Sequence, residues 1–386
     1  MYSPPTILGI PHQRYRSGAD FGIEQPDRLL HLLTIGQTGT GKTSLLANMT
    51  KQDAEHNVGF CLIDPHGDLA SSLSQHLGVN HVYWDIADPN SSYGYNPLTK
   101  TSAGLRPLVA SGLIETLKRQ WADAWGARME HLLRYGILAL LETPRADLRD
   151  LMPLYTQKRF RGQVLSHVTD KQVLSFWQQE YSAMKYQSAA EGVAPIGNKI
   201  GSLLAHPVVR RALCEPAEPL RFRKLMDDGQ SVIINLAKGR LGADMANLIG
   251  GLMVASIANA AFTRHDLPEA DRRAFMLYVD EFSAFTTLSF ATMLSEARKY
   301  GLGTVLAAQH VSQMETDVLH AVMGNVGSLV VFRLGALDAP LFVRQLETVG
   351  EYDLTRLPNH HALVQLMVRG QKTRTFSART YPPFYA

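Results

Sequence analysis

Residues Gly36 to Thr43, "GQTGTGKT", bring three glycines, a lysine and a hydroxyl together at the spacing G-x-x-x-x-G-K-[ST]. The chemistry that suits this set is phosphate binding. Gly36, Gly39 and Gly41 let the backbone curl, so that the amides between them, with Gln37, Thr38 and Thr40, turn inward. The helix that follows, starting near Ser44, adds the partial positive charge of its N-terminus. Lys42 is expected to reach the β- and γ-phosphates, and Thr43 to place its hydroxyl on Mg²⁺. The expected ligands are therefore ATP and Mg²⁺. The alternative is a glycine turn that caps a helix and holds nothing.

Hydrolysis needs more than a cradle: a carboxylate for the metal and a group that positions water. "FMLYVDEF" ends an apolar run in Asp280 and Glu281. Asp280 is expected to hold the metal, and Glu281 to orient water or accept its proton; many ATP motors have this second acid, and GTPases usually lack it. The plain alternative is two carboxylates capping the next helix. Gln309 closes "GTVLAAQ", where a strand tip would face the γ-phosphate. Arg298, in "SEARKYGLG", is the kind of guanidinium that a neighbouring subunit offers to a transferring phosphoryl group; the alternative is a solvated helix-end arginine.

These residues need a scaffold that brings distant segments to one edge. "LLHLLTI" (29–35), Val58 to Ile63, the run ending near Asp85, "SVIINLA" (231–237), "AFMLYVDEF" (274–282), "GTVLAAQ" (303–309) and "SLVVFRLG" (328–335) read as buried strands. Helical patterns lie between most of them. This predicts an α/β fold with a mainly parallel sheet covered on both faces. The last "HALVQLMVRGQKTRTFSART" reads as two strands around a turn at Gly370. Between about Ala103 and Leu204 only amphipathic helices are legible. The expected division is residues 1–102 and 205–386 as two parts of one ATPase domain, with an all-helical insertion at 103–204. About 28 residues precede the first expected strand.

"FGIEQPDRLLHLLTIGQTGTGKTSLLANM", "IDPHGDLA", "YGYNPL", "LYVDEFSAF", "LSEARKYGLGTVLAAQ" and "GNVGSLVVFRLGALDA" together carry a resemblance. The chain resembles the ATPase part of the type IV secretion coupling proteins (TraD/TraG-like), within the HerA/FtsK superfamily of hexameric DNA-pumping ATPases. The resemblance implies a RecA-like domain, a ring of six, Arg298 as a finger acting in trans and Gln309 as a γ-phosphate sensor. It also draws Asp64 and His66 toward the nucleotide, and Arg333 toward a subunit boundary. The partners it implies are DNA, gripped through its backbone without base reading, and a relaxase, a secretion channel or a nuclease. Its setting is conjugation, or else a HerA-like role in end processing or defence. An ATP-gated adaptor for a protein cargo is the reading from another class.

The chain differs from these families at its start: neither transmembrane helices nor a small β-barrel is legible. The longest apolar segment, Leu248 to Phe262, is about 15 residues, short of the ~20 that span a bilayer, and reads as a buried helix. The N-terminus does not read as a signal peptide. The expected location is the cytoplasm, with docking at the inner membrane through partners. A chain of 386 residues with 45% apolar and 19% charged residues is ordinary for a globular protein, and a net charge of +3 permits nucleic acid without demanding it. The two cysteines, Cys61 and Cys214, lack any metal-ligand spacing. Basic residues cluster at Arg210, Arg211, Arg221, Arg223 and Lys224, at Lys238 and Arg240, and at Arg369, Lys372, Arg374 and Arg379. Any of them could meet DNA phosphates or simply face water.

Overall fold

The computed structural model describes residues 4–13, 16–17, 19–78, 80–184, 186–285, 287–312, 314–346 and 349–385. Its strands, in chain order, are β1 (Thr6–Gln13), β2 (Arg16–Ser17), β3 (Phe21–Ile23), β4 (Leu32–Ile35), β5 (Gly59–Asp64), β6 (His81–Asp85), β7 (Tyr93–Gly94) and β8 (Glu218–Pro219). They continue as β9 (Ser231–Asn235), β10 (Phe275–Val279), β11 (Leu302–Ala308), β12 (Ser328–Val331), β13 (His361–Gln365), β14 (Met367–Val368), β15 (Gln371–Lys372) and β16 (Phe376–Thr380). Two compact units emerge: Met1–Asp85, Phe222–Gly239 and Ala260–Ala386 form one, and Ile86–Arg221 with Arg240–Asn259 the other.

The first unit is built on one sheet in the order β2-β1-β16-β13-β12-β4-β11-β10-β5-β9-β6, with β3 also on β1. From β12 to β6 every neighbouring pair is parallel. In β4, β5, β9, β10, β11 and β12 every residue is buried, as expected of strands covered on both faces. The α/β class and the mainly parallel sheet are as the apolar runs predict. Helix Lys42–Glu55 buries Leu45, Leu46 and Met49, the spacing that marked it in the sequence.

The register decides where the chemistry falls. Ile35 pairs with Ala308 and with Val331, and Val279 pairs with Ile63 and with Leu306. The carboxyl ends of β4, β5, β10, β11 and β12 therefore lie along one edge, the place where open α/β sheets bind ligands.

The first strand expected from the sequence starts at residue 29. The structure instead begins its sheet at Thr6: β1 pairs antiparallel with β16, β3 and β2. The signal was weak because Gly9 and Pro11 interrupt the segment. Gly9 has a reason: a Cβ there would lie 2.3 Å from the Arg379 carbonyl oxygen of β16. The predicted turn at Gly370 is present, with φ +79°, between the short antiparallel strands β14 and β15.

A buried polar knot ties four elements of this unit together. The guanidinium of Arg28 pairs with Asp53 on helix Lys42–Glu55 and donates to the Tyr278 hydroxyl of β10 at 2.6 Å. Tyr278 donates to Asp53, and Arg28 also donates to Thr6 Oγ1 at 2.9 Å.

The second unit is helical, with Arg106–Gln120, Ala127–Leu140, Lys158–Leu165, Tyr186–Ala205 and Pro207–Cys214 among its elements. Its core includes Phe176 and Trp177, with the Tyr135 and Phe176 rings stacked at 4.0 Å. The apolar helix expected at Leu248 to Phe262 is longer than the sequence suggested. It runs from Ala243 to Phe262, and its 3-10 continuation reaches Asp266. By length and composition this 24-residue helix is long and apolar enough to cross a membrane; its most apolar 18-residue window has a mean hydropathy of 1.5, and 67% of that window is buried within the protein.

Candidate nucleotide site

The loop after β4 has the conformation its glycines foretell. Gly39 and Gly41 take φ of +75° and +122°, backbone states that side chains rarely adopt. The loop is pinned from outside: the Gln37 amide donates to the Arg333 carbonyl at 2.8 Å, and the His360 amide to the Thr40 carbonyl at 2.7 Å. Thr40 Oγ1 donates to the Gln37 carbonyl at 2.7 Å. Lys42 is buried, and its ammonium donates to the carbonyls of Gly36 at 2.6 Å and Gln37 at 3.1 Å. Burial lowers its pKa, and the nearby charges of Asp280 and Glu281 oppose that shift. Thr43 is exposed on the first turn, and Ser44 is half-buried behind it.

Asp280 and Glu281 follow β10, two strands from the loop. Burial beside Asp64 and Glu281 pushes the Asp280 carboxyl up to about 7, although Lys42 pulls the other way. Asp64, at the end of β5, accepts the amides of His66 and Ala70, both at 2.9 Å, so it shapes the turn into helix Asp68–His76. Glu281 has φ +50°, a left-handed conformation unusual for a non-glycine residue, and its amide donates to Asp280 Oδ1 at 3.0 Å. Such strain persists only where the surroundings enforce it, and it is common at active sites.

Gln309, at the tip of β11, meets the loop directly: Thr38 Oγ1 donates to its side-chain oxygen at 2.9 Å. The structure thus brings Gly36 to Ser44, Asp280, Glu281 and Gln309 to one edge. Arg298 is not among them. It lies exposed, before the amino end of β11, where the Gly301 carbonyl accepts the first amide of β10. The seven residues of β11 span about 23 Å. That separation puts Arg298 out of reach of the loop in its own chain.

Arg333, expected at a subunit boundary, is bonded within the chain. It donates to Gln37 Oε1 at 3.1 Å, the Leu357 carbonyl at 3.0 Å and Asn359 Oδ1 at 3.1 Å. His360 is not legible as a site residue in the sequence; its link to the loop runs through its backbone amide, which leaves no trace in residue type. Of the basic residues, Arg211 is engaged by the carbonyls of Ser91 and Asp88, and Arg223 by Asp227, Asp266 and Thr263. These two serve the fold. Both cysteines are free and buried, and burial pushes both thiols up, Cys214 to about 12.

The residues fit a nucleotide with Mg²⁺. A hydroxyl and carboxylates suit this hard cation, which keeps waters and phosphate oxygens as its other ligands. Among the described residues no group of three or more His, Cys, Asp and Glu forms a metal cage, so Thr43 and Asp280 would share the ion with the phosphates.

Residues 274–357, which include Asp280, Glu281, Arg298 and Gln309, match the family described as "TraM recognition site of TraD and TraG". The fold is similar to that of the bacterial conjugative coupling protein TrwBdeltaN70, at 18% identity over 97% of this chain and 88% of that one, with a TM-score of 0.70. TrwB in complex with ADP and Mg²⁺ matches at 19% identity, 95% and 88% coverage and a TM-score of 0.68. VirB4 of Thermoanaerobacter pseudethanolicus matches at 12% identity, 99% and 97% coverage and a TM-score of 0.69. No curated protein sequence matches the chain. Fold and loop together define a P-loop protein of RecA-like architecture. Within that class the fold is similar to that of the coupling protein TrwB, and residues 274–357 carry the segment shared with TraD and TraG.

Proposed function

We propose that this chain is an ATP-driven DNA translocase of the conjugative coupling type, working as a homo-hexameric ring in the cytoplasm, docked at the inner membrane through partners. The observation that carries this reading is the convergence of a glycine-kinked phosphate loop, an Asp-Glu pair and a strand-tip glutamine at one sheet edge. The segment match to TraD and TraG and the TrwB fold support the conjugative setting. The loop amides and Lys42 bind the phosphates. Thr43 and Asp280 hold Mg²⁺, which when bound neutralises charge on the phosphate oxygens. Glu281 orients the attacking water and accepts its proton. Gln309, bonded to Thr38, senses the γ-phosphate. Arg298 of one subunit completes the site of the next. The all-helical insertion, placed at 103–204 in the sequence, engages DNA or a relaxase, channel or nuclease partner.

The test is phosphate release from ATP and Mg²⁺, with and without DNA. Stimulation by DNA, lost in Lys42→Ala, supports the translocase. Stimulation only by a protein partner would favour the adaptor reading, to which the TraM recognition description lends weight. No hydrolysis under either condition would overturn the assignment.

A further inference from the structure

The segment just after Gln309 is held by one remote carboxylate. Asp338 lies 29 residues further along the chain and is 1% exposed. Its Oδ1 accepts the amides of Val311 at 3.2 Å and Ser312 at 2.9 Å, and its Oδ2 accepts His310 Nδ1 at 3.1 Å. Three successive residues thus hang from one side chain, directly after the glutamine that meets Thr38. The stretch that supplies Asp338 also supplies Arg333, which holds Gln37. Loop and strand tip are therefore fastened to the same piece of chain after β12.

We infer that Asp338 is the positioning residue that fixes Gln309 against the phosphate loop, and so sets how well the site tells a nucleoside triphosphate from a diphosphate. A buried carboxylate that accepts three donors leaves the turn little freedom. Without it the amides of Val311 and Ser312 lose their acceptor, the turn relaxes, and the Gln309 side chain drifts from Thr38. Lys42 and the glycines are untouched, so diphosphate binding survives. The inference rests on the reading of Gln309 as γ-phosphate sensor.

The experiment is calorimetric titration of the full chain, with Mg²⁺, by ADP and by a non-hydrolysable ATP analogue. The quantity read is the ratio of the two affinities. Gln309→Ala should lower the preference for the triphosphate by about tenfold or more, the scale of one hydrogen bond to a charged group. Asp338→Ala should lower it comparably while ADP affinity stays within about threefold, and the double variant should be no worse than Gln309→Ala alone. Asp338→Asn, which keeps an acceptor for both amides, should restore most of the preference. His310→Ala, at a 45% exposed side chain that tolerates change, should shift the ratio the same way by a smaller factor, and it serves if Asp338→Ala does not fold. An unchanged ratio in Asp338→Ala beside a shifted one in Gln309→Ala overturns the inference. Equal loss of both nucleotides overturns it too, as does a double variant whose effects multiply. An unshifted ratio in Gln309→Ala refutes the sensor reading itself, and the positioning role falls with it.

Discussion

Lys42 and Glu281 separate binding from turnover. Lys42→Ala removes the cation held over the loop, so nucleotide affinity and phosphate release should both collapse while the far-ultraviolet dichroism stays native. Glu281→Gln keeps the shape and loses the base, so ATP binding should persist while turnover falls by about 10²- to 10⁴-fold. Measuring affinity and single-turnover rate in both variants checks the division; wild-type turnover in Glu281→Gln would remove that residue from the mechanism. Asp280 adds a pH signature. Its carboxyl holds a proton up to about 7 because it is buried beside Asp64 and Glu281, and Mg²⁺ needs the ionised form. Mg²⁺ affinity should therefore weaken as pH falls below about 7, and binding near neutrality should release a proton. Calorimetry in buffers of different ionisation enthalpy reads that proton, and Asp280→Asn should abolish it. Most of these residues were legible because glycines, a lysine and paired acids at strand ends have few other uses together. Asp338 was not, because two backbone amides and the His310 ring are brought to it only by the fold.

At the scale of elements, the knot of Arg28, Asp53 and Tyr278 fastens the phosphate-loop helix to β10. Removing one partner of a buried ion pair leaves the other charge uncompensated. Asp53→Ala should cost about 3–5 kcal/mol in chemical denaturation, and Tyr278→Phe clearly less, since the charge pair survives. The seven strands read from apolar runs all lie in the sheet; in six of them full burial on both faces writes a continuous apolar signal, and the edge strand β6 is mostly half-buried. The antiparallel margin of β1, β2 and β3 was hidden. A strand on that margin needs only part of its length buried, and β1 tolerates a glycine and a proline. The long helix Ala243–Phe262 was underestimated because the polar Asp244 and Asn247 of its first turns mask the apolar pattern.

A site shared between subunits has consequences for the assembled ring. If Arg298 acts in trans, Arg298→Ala should bind ATP yet turn it over about 10³- to 10⁵-fold more slowly. Mixing it with Lys42→Ala should restore some phosphate release, because some neighbouring pairs then hold an intact loop facing an intact arginine. A mixture as inactive as either parent would count against the arrangement, and full activity of a strictly monomeric wild-type chain would end it. Replacing residues 103 to 204 by a short linker should leave nucleotide binding measurable in the remaining chain, which keeps the whole α/β unit and the ends of the second unit. Lost affinity in a still-folded unit would assign the helical region to the site instead.

The placement of Arg298 at the far end of β11 from the loop has a consequence for the life of the protein before assembly. On this reading a newly made chain can load nucleotide with every group it needs for that but lacks the means to discharge it. It would wait charged, and closure of the ring, rather than arrival of ATP, would start the clock. Dilution below the assembly concentration should then leave the chain saturated with ATP and silent, a resting state that needs no inhibitor.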